Sequence, residues 1–179
     1  MSVDPSSYDE PIDFDAAMAL LPERMVAKIG LAETGCWLWT GEIDRYGYGC
    51  FGIGSKADGT RRKAKAHRVT YAALRGEIPA GLLTDHVCHT VAVDAGGCPG
   101  GNACLHRRCC NPWHLEMVTN RENMMRGMTV TAANAAKTHC PQGHPLSGDN
   151  LYVPPAGGRY CRTCRAAADR RWLQRKRTA

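Results

Sequence analysis

"LLTDHVCHT" (82–90) and "RRCCNPWHLEMVTNREN" (107–123) decide how this chain is read. The first runs through β-forming residues to Asp85-His86, and "LEMVT" (115–119) reads as the strand that returns. A long loop rich in glycine and cysteine lies between them. Thr119-Asn120-Arg121-Glu122 fits a capping box, so a helix is expected to begin there and run to about Gly127. Strand, loop, strand, capped helix is an α+β order. Its histidines and cysteines could be metal ligands, catalytic groups or a mixture.

Outward from this centre, "FDAAMALLPERMVAKIG" (14–30) reads as a helix. Met18, Leu21, Met25 and Ile29 form one stripe, and Pro22 interrupts it. "CWLWTG" (36–41) and "GYGCFGIG" (47–54) read as the two strands of a hairpin. "AHRVTYAALRG" (66–76) reads as a short helix stopped by Gly76. "TVTAANAAK" reads as a linker. The chain is thus expected to comprise an acidic N-terminal segment with its helix (1–34), a central domain (35–127), a linker (128–138) and a separate module (139–179).

Ten cysteines and 19 glycines accompany only two phenylalanines in 179 residues, so a thin core must be stapled by something else. The N-terminal stretch lacks the basic and apolar regions of a signal peptide, and no apolar run reaches the roughly 20 residues of a membrane span. A cytoplasmic location with no membrane partner is the expectation. Thiols stay reduced there, and clustered cysteines more often bind zinc than pair as disulfides.

Charge is unevenly placed. Residues 1–24 carry six acids against Arg24, residues 56–75 seven bases against Asp58, and residues 159–179 eight bases against Asp169. Two basic segments flanking a ligand-rich centre point to nucleic acid as the partner. A dimer is compatible with this reading, and the oligomeric state stays open.

In the C-terminal module, "CPQGH" offers Cys140 and His144, and "CRTC" offers Cys161 and Cys164. That spacing around a hairpin-like "NLYVPPAGGRY" is a zinc pattern. In the central loop "CPGGNACLH" offers Cys98, Cys104 and His106, with His89 as a candidate fourth ligand to a second zinc. Cys50 and Cys110 are expected to pack without a further role.

The segments "GCWLWTG", "GYGCF", "AHRVTYAALRGEIPAGLLTDHVCH" and "CCNPWHLEMVTNRENMMRG" together resemble an HNH endonuclease of the phage and homing type, within the His-Me finger (ββα-metal) superfamily. The resemblance covers roughly residues 35–127. It extends to the His-Cys box homing endonucleases, in which a structural zinc braces the finger. It implies a zinc site of Cys36, Cys88, Cys109 and His114. It makes His86 the general base, since a neutral imidazole can take a proton from water near neutral pH. Asp85 and Asn123 supply oxygens suited to Mg²⁺ or another hard divalent ion. Arg68 could clamp a phosphate oxygen.

Two other classes compete. A zinc nucleobase deaminase is suggested by His114-Leu115-Glu116 with Cys161 and Cys164, but Tyr160 stands where its motif needs proline. A non-catalytic zinc-dependent DNA-binding protein explains the cysteines and basic arms, though not Asp85-His86 with Asn123. Taken with the resemblance, the sequence leads to the expectation of an endonuclease that hydrolyses phosphodiester bonds of double-stranded DNA, with two or three structural zinc ions.

Overall fold

A computed structural model describes residues 13–98 and 100–178. Two compact units divide the chain, Met1–Met128 and Thr129–Ala179.

The first unit opens on α1 (Phe14–Ala19), whose Asp13 side chain accepts from the Ala16 amide at 3.0 Å. α2 (Glu23–Val26) follows directly. The expected single helix over 14–30 is thus two, because Pro22 cannot donate a helical hydrogen bond and stands as the N-cap of the second. Its last residues become a strand: β1 (Ile29–Leu31) pairs antiparallel with β2 (Trp37–Trp39).

The expected hairpin between 36–41 and 47–54 does not form. β3 (Cys50–Ile53) pairs instead with β4 (Arg62–Lys65), with Gly52 opposite Lys63. Gly54, at φ +75°, begins the turn, where a Cβ would lie 2.4 Å from the Thr60 carbonyl oxygen. Lys-Arg-rich β4 lacks the apolar alternation that marks a strand, so only pairing reveals it.

Aromatic rings build the core. Trp37 meets Phe14 and Trp113 edge-on at centroid distances of 5.3 and 5.9 Å, and Trp39 meets Phe51 at 5.9 Å. Met18, Leu21, Met25 and Ala66 fill the space around them. Each buried tryptophan contributes about 4–6 kcal/mol of apolar burial. Cys110 belongs to this core, as its packing role requires.

α3 (Ala66–Leu74) is tied to the ligand-bearing loop by Thr70, whose buried hydroxyl donates to the Cys110 carbonyl at 2.7 Å. Next comes β5 (Leu83–His86), and there the extended chain stops. α4 (Val87–Asp94) begins at once, with His86 as its N-cap. Cys88 therefore lies in the first turn of α4. β6 (Leu115–Val118) pairs antiparallel with β5, setting Asp85 opposite Glu116 and His86 opposite Leu115. α5 (Asn120–Arg126) carries the capping box: Thr119 Oγ1 accepts from the Glu122 amide at 3.2 Å, and Glu122 accepts from the Thr119 amide at 2.8 Å.

In the second unit, α6 (Val130–Ala136) occupies most of the expected linker. Thr129 caps its start, accepting from the Ala132 amide at 3.0 Å. Arg159 satisfies carbonyls at its other end, donating to Ala135 and Lys137 at 2.8 and 2.9 Å. A two-residue hairpin, β7 (Leu151–Tyr152) with β8 (Tyr160–Cys161), leads into α7 (Arg162–Arg177). Among the described residues of this unit only Cys161 is a buried apolar residue. So small a core cannot hold a unit of this size.

Candidate metal centres and the buried histidine pair

Three groups of four Cys and His side chains converge, each with all ligand atoms within 4.8 Å of one another. A tetrahedral zinc with Zn–S near 2.3 Å and Zn–N near 2.0 Å would place neighbouring ligand atoms about 3.3–3.8 Å apart.

The first group is Cys36, Cys88, Cys109 and His114. An antiparallel bridge between Leu38 and Cys109 brings the chain at 109 beside β2, and the Cys110 amide donates to the Trp37 carbonyl at 2.7 Å. Buried Asn111 donates to the Gly35 carbonyl at 2.9 Å and accepts from the Trp113 amide at 3.0 Å. His114 Nδ1 then lies 3.5 Å from Cys36 Sγ and 3.6 Å from Cys109 Sγ. The thiols disagree about their protons. Hydrogen bonds from Cys109 and Cys88 draw Cys36 far down, while Cys109 and Cys36 drive Cys88 up, and Cys36 pushes Cys109 up to about 12. Three packed thiols with no cation among them share little negative charge; a divalent ion would let all three ionise.

The second group is His89, Cys98, Cys104 and His106. Cys98 and Cys104 sulfurs are 3.3 Å apart, His89 Nδ1 is 3.3 Å from Cys104 and 3.5 Å from Cys98, and His106 Nδ1 is 3.5 Å from Cys104. Burial lowers the His89 pKa, favouring the neutral imidazole a metal needs. His89 is thereby the fourth residue of this group.

The third is Cys140, His144, Cys161 and Cys164. Cys140 Sγ lies 3.5 Å from His144 Nδ1 and 3.6 Å from Cys164 Sγ. The Cys164 amide at the start of α7 donates to Cys161 Sγ at 3.4 Å. Asn150, which sequence reading passed over, braces this group. Its amide nitrogen is 3.3 Å from Cys161 Sγ, and its oxygen accepts from the Thr163 amide at 3.0 Å. All three groups fit structural zinc in ligand type, count and spacing.

His86 belongs to none of them. It is 6% exposed, and its Nε2 lies 3.1 Å from the Cys109 carbonyl. A carbonyl only accepts, so Nε2 carries the proton and Nδ1 is left as the acceptor. Burial lowers the His86 pKa to about 4. His67, at 5% exposure, meets it edge-on at 4.7 Å and sits 3.1 Å from Thr84 Oγ1 through its own Nε2. Burial likewise depresses His67 well below the usual range. Tyr48 flanks both rings at 5.7 and 6.0 Å, with the Lys65 and Arg107 cations over its face. No local pattern marks His67, because its approach to His86 depends on α3 and β5 meeting.

Asp85 and Glu116 share one cation, Arg126, which lies 3.4 Å from Asp85 and pairs with Glu116. Burial raises the Asp85 pKa against that pairing. Arg126 was not singled out from sequence; its place three residues after Asn123 is the only signal. Residues three apart share a helix face, so Asn123 lies on the side of α5 from which Arg126 reaches Asp85. Arg68 is half-buried near the start of α3 and makes no hydrogen bond or ion pair among the described residues.

No protein-family profile matches the chain, and no solved structure does. It is 27% identical over 138 residues to "Protein 2.8" of Escherichia phage T7, across 73% of this chain and 71% of that protein. It is 29% identical over 80 residues to the "Uncharacterized gene 5.3 protein" of Enterobacteria phage T3, across 45% of this chain and 63% of that protein. No helix among the described residues is long and apolar enough to cross a membrane.

Proposed function

We propose that the protein is a zinc-stapled DNA endonuclease of the His-Me finger type, with His86 as general base. The observation that carries this is the 3.1 Å approach of His86 Nε2 to the Cys109 carbonyl, which assigns the proton to Nε2. A buried imidazole whose Nε2–H is committed to a backbone carbonyl offers its Nδ1 as a proton acceptor. Nδ1 would take a proton from the water that attacks phosphorus, and the bond to the departing 3′ oxygen would break.

Two carboxylates, Asp85 and Glu116, are matched by one guanidinium, so the strand pair keeps a negative charge beside His86. Oxygen donors and that residual charge suit a hard divalent ion such as Mg²⁺, held by Asp85 and Asn123. Such an ion would offset charge on the phosphate and the leaving oxygen. Arg68, without a carboxylate partner, is available to a phosphate oxygen.

A supercoiled plasmid, with and without added Mg²⁺, tests this. The protein should nick or linearise it only with Mg²⁺, and His86→Ala should abolish cleavage while zinc content and DNA affinity persist. Loss of zinc from His86→Ala would make it a structural residue. Binding without any cleavage would leave the second reading, a zinc-dependent DNA-binding protein, which the seven bases of α7 favour.

A further inference from the structure

Two chain-distant segments converge on a concavity of about 390 Å³ at the β3–β4 hairpin. Arg24 and Lys28 enter from α2 and the loop after it, and Arg61, Arg62 and Lys63 from the hairpin. The acid among them is Glu42, and it pairs with Lys63. Arg24, Lys28, Arg61 and Arg62 form no salt bridge among the described residues. Four uncompensated cations around one hollow repel each other, and an anion seated there would relieve that repulsion.

Phosphate is the anion this lining suits. Three of these four cations are arginines, whose forked donors match phosphate oxygens bidentately. The aromatic lining cannot stack a base, because Phe51 is buried and Arg24 already covers its ring at 4.6 Å. Charge without an open ring reads phosphate rather than base identity.

We propose that this concavity is a phosphate-binding site, taking either a backbone phosphate of duplex DNA or the phosphate of a free nucleotide. It shares no residue with His86, Asp85 or Asn123, so it stands whether or not the chain hydrolyses DNA.

The test compares Arg61→Ala/Arg62→Ala with Arg45→Ala/Lys56→Ala, which removes the same charge outside the concavity. Zinc content checks that each variant is folded. Binding of a duplex of about 20 base pairs, without added Mg²⁺, is followed against salt; the pocket variant should bind about tenfold more weakly and lose about one to two units of salt slope relative to the control. Adenosine 5′-monophosphate is titrated in parallel. Loss of nucleotide binding with duplex binding equal to the control assigns the site to free nucleotides. Equal behaviour of the two variants toward both probes overturns the proposal. Plasmid cleavage by the same proteins at saturating concentration reads the hydrolytic proposal separately.

Discussion

His86 and His67 are both held neutral by burial. Their folded pKa values lie below the usual 6.5, so the unfolded chain binds protons first as pH falls. Their neutral forms therefore cost stability only in acid: the loss begins below about 6.5 and continues through the folded value, near 4 for His86, at no more than about 1.4 kcal/mol per pH unit for each group. Urea unfolding between pH 7.5 and 5.5, with zinc release followed in the same samples, should show stability falling before zinc is lost. His67→Phe should make that fall shallower, and an unchanged slope would show that His67 is not buried neutral. Arg126 is the other informative residue. Arg126→Ala leaves Asp85 and Glu116 without their cation, so plasmid cleavage should need less Mg²⁺ if the ion takes over that charge.

At the scale of elements, α4 has an unusual position. Its first residues serve different tasks in succession: His86 caps it, Cys88 joins the first Cys/His group, and His89 joins the second. A helix of eight residues is too short to persist alone, and zinc bound in the two Cys/His groups it joins would hold it. Cys88→Ser should remove one zinc and, by freeing the start of α4, also lower DNA cleavage; loss of zinc with full activity would separate the staple from His86. α5 offers a control. Thr119→Ala removes both hydrogen bonds that the Thr119 hydroxyl makes with Glu122 and should cost about 1 kcal/mol in urea unfolding, with zinc content unchanged.

For the whole molecule, three groups predict three zinc ions per chain by elemental analysis, and two after deletion of residues 129–179. A count of one or none would remove the metal from the fold. Of the eight bases at 159–179, Arg159 is spent on α6 carbonyls, and the others lie on α7, where Lys176 stands over the exposed Trp172 ring. Deleting 129–179 should weaken duplex binding and flatten its salt dependence, because fewer counterions are released. On the proposed hydrolytic function, the shortened protein should still cleave at high concentration, since Asp85, His86 and Asn123 remain.

Sequence by itself determined whatever depends on near neighbours. The capping box at Thr119 and Glu122 is local chemistry, and it formed where the pattern stood. So did the third Cys/His group, whose close spacing leaves few other ways to gather four ligands, and the strands that carry Asp85 and Glu116. Tertiary structure decided what depends on distant partners. β2 chose β1 over β3 because pairing is a competition among strands, and the chain names no winner. Lys-Arg-rich β4 is a strand only through its pairing with β3. The Cys109 carbonyl selects the His86 tautomer, and His67 reaches that ring, only once α3, β5 and the ligand loop have packed. Arg24 and Arg61, 37 positions apart, make one basic hollow for the same reason. Hydrogen-bond caps and metal spacings are short-range and leave a trace in sequence; burial and charge convergence are properties of packing.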